Sequence, residues 1–140
     1  MAKLRHMAMS VTDPERSAKF YEEAFGMERI GTTDTDLAKG VYLSDGVVCL
    51  AMLKFKTDEW AGKSDDAAGK HRSTEYVGVH HVGFWVDDLE KTAQAIKDAG
   101  GDFFLGMPKE TDTLHYEEKH RDPDGIMIDV SENGWPGTRA

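Results

Sequence analysis

From Leu4 to Val11 a short apolar run, interrupted by Arg5, His6 and Ser10, ends on a β-branched valine, the mark of a strand. The rhythm then changes, and Ser17, Tyr21, Ala24 and Phe25 fall on one helical stripe. That helix opens at Thr12 or Asp13, with Pro14 in the first turn where a missing N–H costs nothing, and Gly26 supplies a left-handed stop. Three strands follow at approximately Met27–Thr33, Val41–Ser44 and Val47–Phe55. The same succession returns downstream. A strand over Val79–Val86 leads to a helix capped by Asp87 or Asp88, with Glu90 near its positive end and a stripe of Leu89, Thr92/Ala93, Ile96 and Ala99. Gly100 and Gly101 end it, and strands at approximately Asp102–Gly106, His115–Arg121 and Ile126–Ser131 complete the copy.

The recurrence extends to individual residues. His6-Met-Ala-Met-Ser-Val-Thr-Asp13 aligns with His81-Val-Gly-Phe-Trp-Val-Asp-Asp88 at an offset of 75 residues. The register continues through Glu15 and Glu90 to Gly26 and Gly101, and each copy later carries an Asp-Gly turn, Asp45-Gly46 and Asp124-Gly125. Two copies of one βαβββ unit account for this most simply. The expected organisation is one α+β domain over residues 1–140: module one 1–55, a linker 56–76, module two 77–132 and a tail 133–140. The linker is rich in Asp, Lys, Gly and Ala, shows no period, and carries one anchoring Trp60.

Composition narrows the class of partner. With 39% hydrophobic and 31% charged residues the chain has enough apolar material for a core. Its 17 Lys+Arg against 26 Asp+Glu leave a net charge of −9, which repels phosphate backbones. Nucleic acid and anionic membranes, which need basic patches, are therefore not expected partners. No apolar run is long enough to span a bilayer, and the first residues do not lead into a secretion signal. The single Cys49 excludes an intrachain disulfide and a zinc-thiolate cluster. The expectation is a soluble, reduced, cytoplasmic protein.

His-x-x-x-x-Val-x-Asp-x-Glu at the start of a βαβββ unit, closed by Arg121-Asp-Pro-Asp-Gly-Ile-Met-Ile-Asp129, resembles the vicinal oxygen chelate superfamily. This group includes glyoxalase I, bleomycin-resistance proteins, methylmalonyl-CoA epimerase and extradiol dioxygenases. The resemblance covers nearly the whole chain and implies a half-open β-sheet cup with helices outside and the site inside. Fold alone does not choose among its reactions. Strand parity agrees with the ligand positions it implies. His81, Gly83 and Trp85 share one face of their strand, Met127 and Asp129 one face of theirs, and His6, Ala8 and Ser10 one face of the first. His6, His81 and Asp129 thus project from the faces away from the helices, as two imidazoles and one carboxylate able to hold Fe(II).

The superfamily's lyases and epimerases usually present a fourth ligand near the end of the first module. Counting from the Asp-Gly turns places Leu50 there, with Cys49, Ala51 and Met52 beside it and only a weak thiol option among them. The three-ligand set matches extradiol dioxygenases, although those typically carry Glu where this chain has Asp129. By the same analogy His115, Tyr116, Lys119 and His120 are candidates for moving protons at the substrate. If their strand alternates, His115, Glu117 and Lys119 share one face and Tyr116, Glu118 and His120 the other; the alternative is an edge strand kept soluble by charge. His80 is expected to point with Val82 to the packing side or to solvent, and Asp122 and Asp124 to form a turn. Met52, Phe103, Phe104, Met107 and Trp135 either line an apolar pocket or fill the core, and the tail either caps the cavity or packs on a partner.

The leading expectation is a metal-dependent ring-cleaving dioxygenase binding vicinal oxygens of a small aromatic substrate. Its metal is a divalent ion, Fe(II) first, with Mn, Ni or Zn as alternatives, and its assembly a homodimer. One alternative is a glyoxalase-type lyase or isomerase. Another is a metal-free protein that sequesters a drug or metabolite, its acidic surface suiting a cationic ligand.

Overall fold

A computed structural model describes residues 1–106 and 116–139. The elements run β1 (Lys3–Ser10), α1 (Pro14–Phe25), β2 (Glu28–Asp34), β3 (Ala38–Ser44), β4 (Cys49–Phe55), β5 (Gly78–Trp85), α2 (Leu89–Asp98), β6 (Asp102–Gly106), β7 (Glu118–Arg121) and β8 (Met127–Ser131). One short 3-10 turn, Gly69–His71, lies in the segment between the copies. Both helices start on the aspartate that recurs in the repeat. Asp13 accepts a hydrogen bond from the Arg16 N–H at 3.2 Å, and Asp88 from the Lys91 N–H at 2.9 Å, satisfying backbone donors left open in a first turn.

All eight strands form one mixed sheet in the order β2-β3-β4-β1-β5-β8-β7-β6. The halves are related by the repeat: β1 runs parallel to β4 and β5 parallel to β8, while β1 and β5 meet antiparallel at the centre. The expected α+β fold, with duplicated βαβββ units joined in one sheet, is what the chain adopts. The antiparallel seam sets His6 beside Gly83 and Ala8 beside His81 within a single chain.

Two apolar clusters separate the faces of the first half-sheet. Ala18 of α1 packs with Val41, Leu43 and Met52 on the helix side, with Met9, Val11, Tyr21, Met27 and Leu50 at its margin. On the other side Ala8, Ala51, Leu53, Phe55 and Ala61 form a second cluster, joined by Tyr42 and Trp60. The linker is thus partly structural, since Ala61 and Trp60 close over the sheet's inner face.

β3 starts at Ala38, earlier than the expected Val41, because Ala38, Lys39 and Gly40 give no apolar signal yet pair with Phe55, Lys54 and Leu53. β7 is shorter than expected: Tyr116 and Glu117 precede it, and His115 lies outside the described residues, as does Met107. Among the described residues no helix is long and apolar enough to cross a membrane.

Candidate metal centre

Three strands bring the two repeat histidines and the second-module acid together. His6 Nε2 lies 3.1 Å from His81 Nε2, and His81 Nε2 lies 2.9 Å from Asp129 Oδ2. One donor atom from each of the three side chains falls within 4.8 Å of both others. His6, His81 and Asp129 are all buried, and Asp129 has no exposed surface at all. Register explains the meeting: on β8 Asp129 pairs with Gly83, two residues past His81, so both side chains leave the same face of neighbouring strands.

The donor set fits a divalent cation. Two bonds of about 2.1 Å at right angles put their donor atoms about 3 Å apart, close to the two spacings found here. Asp129 Oδ1 is buried without a hydrogen-bond partner, an acceptor left open on the carboxylate. Burial lowers the pKa of His6 and carries that of His81 well below its usual value, so both imidazoles are neutral, the form in which histidine ligates metals.

The fourth-ligand position is corrected by the same register. In the second half Asp129 pairs with the residue two past His81; in the first half the residue two past His6 is Ala8, and it pairs with Ala51. The structural counterpart of Asp129 is therefore Ala51, whereas Leu50 faces α1 on the opposite side. Counting from the turns missed by one residue because the two turn-to-strand connections differ in length. Cys49 faces inward beside His6, with its thiol pushed up to about 12 by burial and by the charge of Glu117.

A lysine fills the polar space on the second-module side. Lys119 pairs with Asp129 across β7 and β8, and its Nζ lies 2.7 Å from Asp129 Oδ2 and 3.3 Å from Glu117 Oε1. Burial alone would lower the pKa of this ammonium; the two carboxylates outweigh it and hold the pKa above its ordinary value. Glu117 Oε2 accepts the indole N–H of Trp135 at 2.7 Å. Trp135 in turn stacks on His6, with ring centroids 4.9 Å apart and planes inclined by 7°. The tail therefore covers the site. It is fastened by Ser44 Oγ donating to the Gly137 carbonyl at 2.7 Å and Arg139 Nε to the Gly46 carbonyl at 2.7 Å. Gly83 makes room for this cover, since a Cβ there would come within 2.8 Å of both the Trp135 ring and His6 Cβ.

Of the proton-transfer candidates, Lys119 reaches the cluster. His120 is buried on the other face, 3.1 Å from Glu118 and edge-on to Phe103. Tyr116 interacts with Glu118 on that side, and His115 lies outside the described residues. Sequence reasoning passed over Glu117 and misplaced His80. His80 neither packs with Val82 nor meets solvent; it is buried against Phe55, with its Nδ1 2.7 Å from His81 Nδ1. The cause is a β-bulge: Ala8 pairs with His81 and Met9 with Val79, so His80 is an extra residue and strict alternation fails there. Tandem His-His at a strand start is the one sequence signal of it.

Comparison with known proteins gives the chain's relatives. The chain is 30% identical over 135 residues to a probable lactoylglutathione lyase of Vibrio parahaemolyticus, spanning 94% of this chain and 91% of that protein. It is 27% identical over 136 residues to the lactoylglutathione lyase of Haemophilus influenzae, with 94% and 93% covered. A Streptomyces coelicolor methylmalonyl-CoA epimerase variant in complex with 2-nitronate-propionyl-CoA shares the fold at a TM-score of 0.65 and 19% identity, covering 91% of this chain and 94% of that one. A family profile matches residues 3–130, nearly the full length of both repeats, and the chain belongs to the Glyoxalase/Bleomycin resistance protein/Dioxygenase superfamily.

Proposed function

We propose that the protein is a divalent-metal-dependent lyase of the glyoxalase kind, with His6, His81 and Asp129 as the ligands. The observation that carries the reading is the convergence of two neutral imidazoles and one carboxylate in a buried cup. The relatives named lactoylglutathione lyase favour this chemistry over the ring cleavage expected from the ligand count. The substrate class is a hemithioacetal, which carries a hydroxyl and a carbonyl on neighbouring carbons. A cation at this site supplies Lewis acidity toward such paired oxygens.

The remaining work falls to the chain's own groups. Isomerisation moves the C–H proton from the carbon bearing sulfur to its neighbour and the hydroxyl proton from the first oxygen to the second, while the electron pair shifts through an enediol, so no oxidant is consumed. Glu117, held by Lys119 and Trp135, is the carboxylate placed to carry that proton where Ala51 offers none. The Lys119 ammonium stabilises negative charge developing on oxygen. Trp135 and Trp60 keep bulk water from the reacting carbons.

The test is turnover of a methylglyoxal–thiol hemithioacetal by protein reconstituted in turn with Ni, Zn, Mn and Fe(II). Product formation with any of these, abolished by Asp129→Ala, is expected. A second reading rests on Ala51: two histidines and one acid, with no fourth protein ligand among the described residues, is the set used for oxygen activation. Anaerobic Fe(II) loading followed by oxygen uptake on catechols, with no hemithioacetal turnover under any metal, reverses the order. Less than about a tenth of an equivalent of metal after reconstitution, where tight binding is expected, removes both.

A further inference from the structure

The bulge that turns His80 inward gives it two partners. Its Nε2 lies 2.8 Å from the Ala61 carbonyl oxygen, and its Nδ1 lies 2.7 Å from His81 Nδ1. A carbonyl oxygen only accepts, so the His80 proton sits on Nε2 and its Nδ1 is a bare acceptor. Two facing ring nitrogens need one proton between them, and it must come from His81. Asp129 Oδ2, 2.9 Å from His81 Nε2, competes for a proton on that nitrogen but already accepts from the Lys119 ammonium at 2.7 Å, so a neutral His81 protonated on Nδ1 turns its Nε2 lone pair toward His6 and Asp129. His80 is buried, its ring against Phe55 and its two nitrogens on Ala61 and His81, so a second proton would leave an unpaired charge in the interior.

The Ala61 carbonyl is itself fixed. The Ala61 N–H donates to the Thr57 carbonyl at 3.0 Å and the Gly62 N–H to the Glu59 carbonyl at 3.0 Å. Gly62 then turns the chain at φ +84°, a conformation that L side chains rarely adopt. Arg72 donates from its guanidinium to the His80 carbonyl, and the Phe55 ring lies 4.3 Å from the His80 ring. The segment between the repeats therefore carries a hydrogen-bonded turn whose Ala61 carbonyl is aimed at His80.

We propose that His80 is a positioning residue: it fixes His81 as the Nδ1–H tautomer and so aims the His81 Nε2 lone pair into the cluster. The metal-binding consequence rests on the reading of His81 as a ligand; the tautomer does not. Outer-sphere partners of this sort set ring orientation and ligand basicity, and their loss typically weakens metal binding about 10–100-fold.

Two readouts test it. In metal-free protein, long-range proton–nitrogen NMR reports which His81 nitrogen is protonated. The Nδ1–H form is expected in the wild type and in His80→Gln, whose amide donates to Ala61 and accepts from His81. In His80→Phe the Nε2–H form is expected, donating to Asp129. Metal titration should show the about 10–100-fold loss in His80→Phe and recovery in His80→Gln, with exposed His71→Gln as control. A wild-type His81 protonated on Nε2 overturns the proposal without any variant, so a misfolded His80→Phe does not rescue it. Equal metal affinity in folded wild type and His80→Phe also overturns it. No metal binding in the wild type, with Nδ1–H retained there and lost in His80→Phe, sinks the ligand reading and upholds the role of His80.

Discussion

Lys119→Met isolates the role of the internal ammonium. The variant keeps a side chain of similar length while removing the one positive charge between Asp129 and Glu117. At an effective dielectric constant of about 20, unit charges at 2.7 and 3.3 Å attract by about 6 and about 5 kcal/mol before desolvation is counted. Desolvating a buried ammonium cancels much of that, and breaking one side of a buried pair leaves a net cost of about 3–5 kcal/mol. Unfolding entropy of about 2.1 cal/mol/K per residue amounts to about 0.3 kcal/mol/K for this chain, so the metal-free variant should melt about 10–17 °C lower.

The same deletion should help a divalent cation, because a positive charge has left the oxygen it would share. Scanning calorimetry of metal-free and metal-loaded protein measures both effects. Metal at a hundred times its dissociation constant returns about 2.7 kcal/mol, or about 9 °C, and the variant should reach that point at lower metal concentration than the wild type. A metal-free Lys119→Met protein melting within about 3 °C of the wild type, with an unchanged metal dependence, would refute the assignment of Lys119 as counter-ion to this site.

Further predictions follow from the same geometry. Asp129→Asn keeps the shape of the carboxylate without its charge, and isothermal titration should show metal affinity reduced at least about 100-fold. Gly83→Ala places a methyl against His6 and the Trp135 ring, costing about 1–3 kcal/mol by overpacking; thermal denaturation and the shift in Trp135 emission measure it. For metal-free wild type, stability should fall on acidification from pH 7.5 to 5.5. The folded pKa of His80 is depressed to about 2, so the unfolded chain takes up the proton first as pH drops through about 6.5, a loss of about 1.4 kcal/mol over that window. His81, also held well below its usual value by burial, acts in the same direction. Urea denaturation at the two pH values tests this, and an unchanged midpoint counts against it. Trp135→Ala should lose the stack on His6 and free Glu117 Oε2, lowering stability by about 3–5 kcal/mol in the same urea assay.

The repeat made the architecture readable because duplicated sequence carries its own alignment: Asp13 and Asp88 cap equivalent helices, and His6 and His81 occupy equivalent strands. Parity then placed His6, His81 and Asp129 on one face, since alternation is a local property of extended chain. What failed were features set across strands. A bulge is decided by the partner strand, so His80 could not be located from its own neighbours. The counterpart of Asp129 depends on which residues of β1 and β4 pair, and turn counting chose Leu50 over Ala51. Lys119 stays open between a proton-moving candidate and an edge-strand charge, and Glu117 is no candidate at all, because nothing local shows that Trp135, from the tail, closes over them.

Charge balance links the departures from a four-ligand site. Ala51 leaves its position on the first-module wall without a carboxylate, within an apolar cluster of Ala8, Leu53 and Phe55. Glu117 restores a negative charge on the opposite wall, and Lys119 offsets it while binding Asp129. Two carboxylates and one ammonium leave the cup one negative charge, against two in a site with two carboxylates alone. A divalent cation bound here would therefore gain less from long-range attraction and more from directional donor atoms. In such a site, errors in imidazole orientation cost proportionally more, which is where the constraint from His80 through His81 Nδ1 has its largest effect.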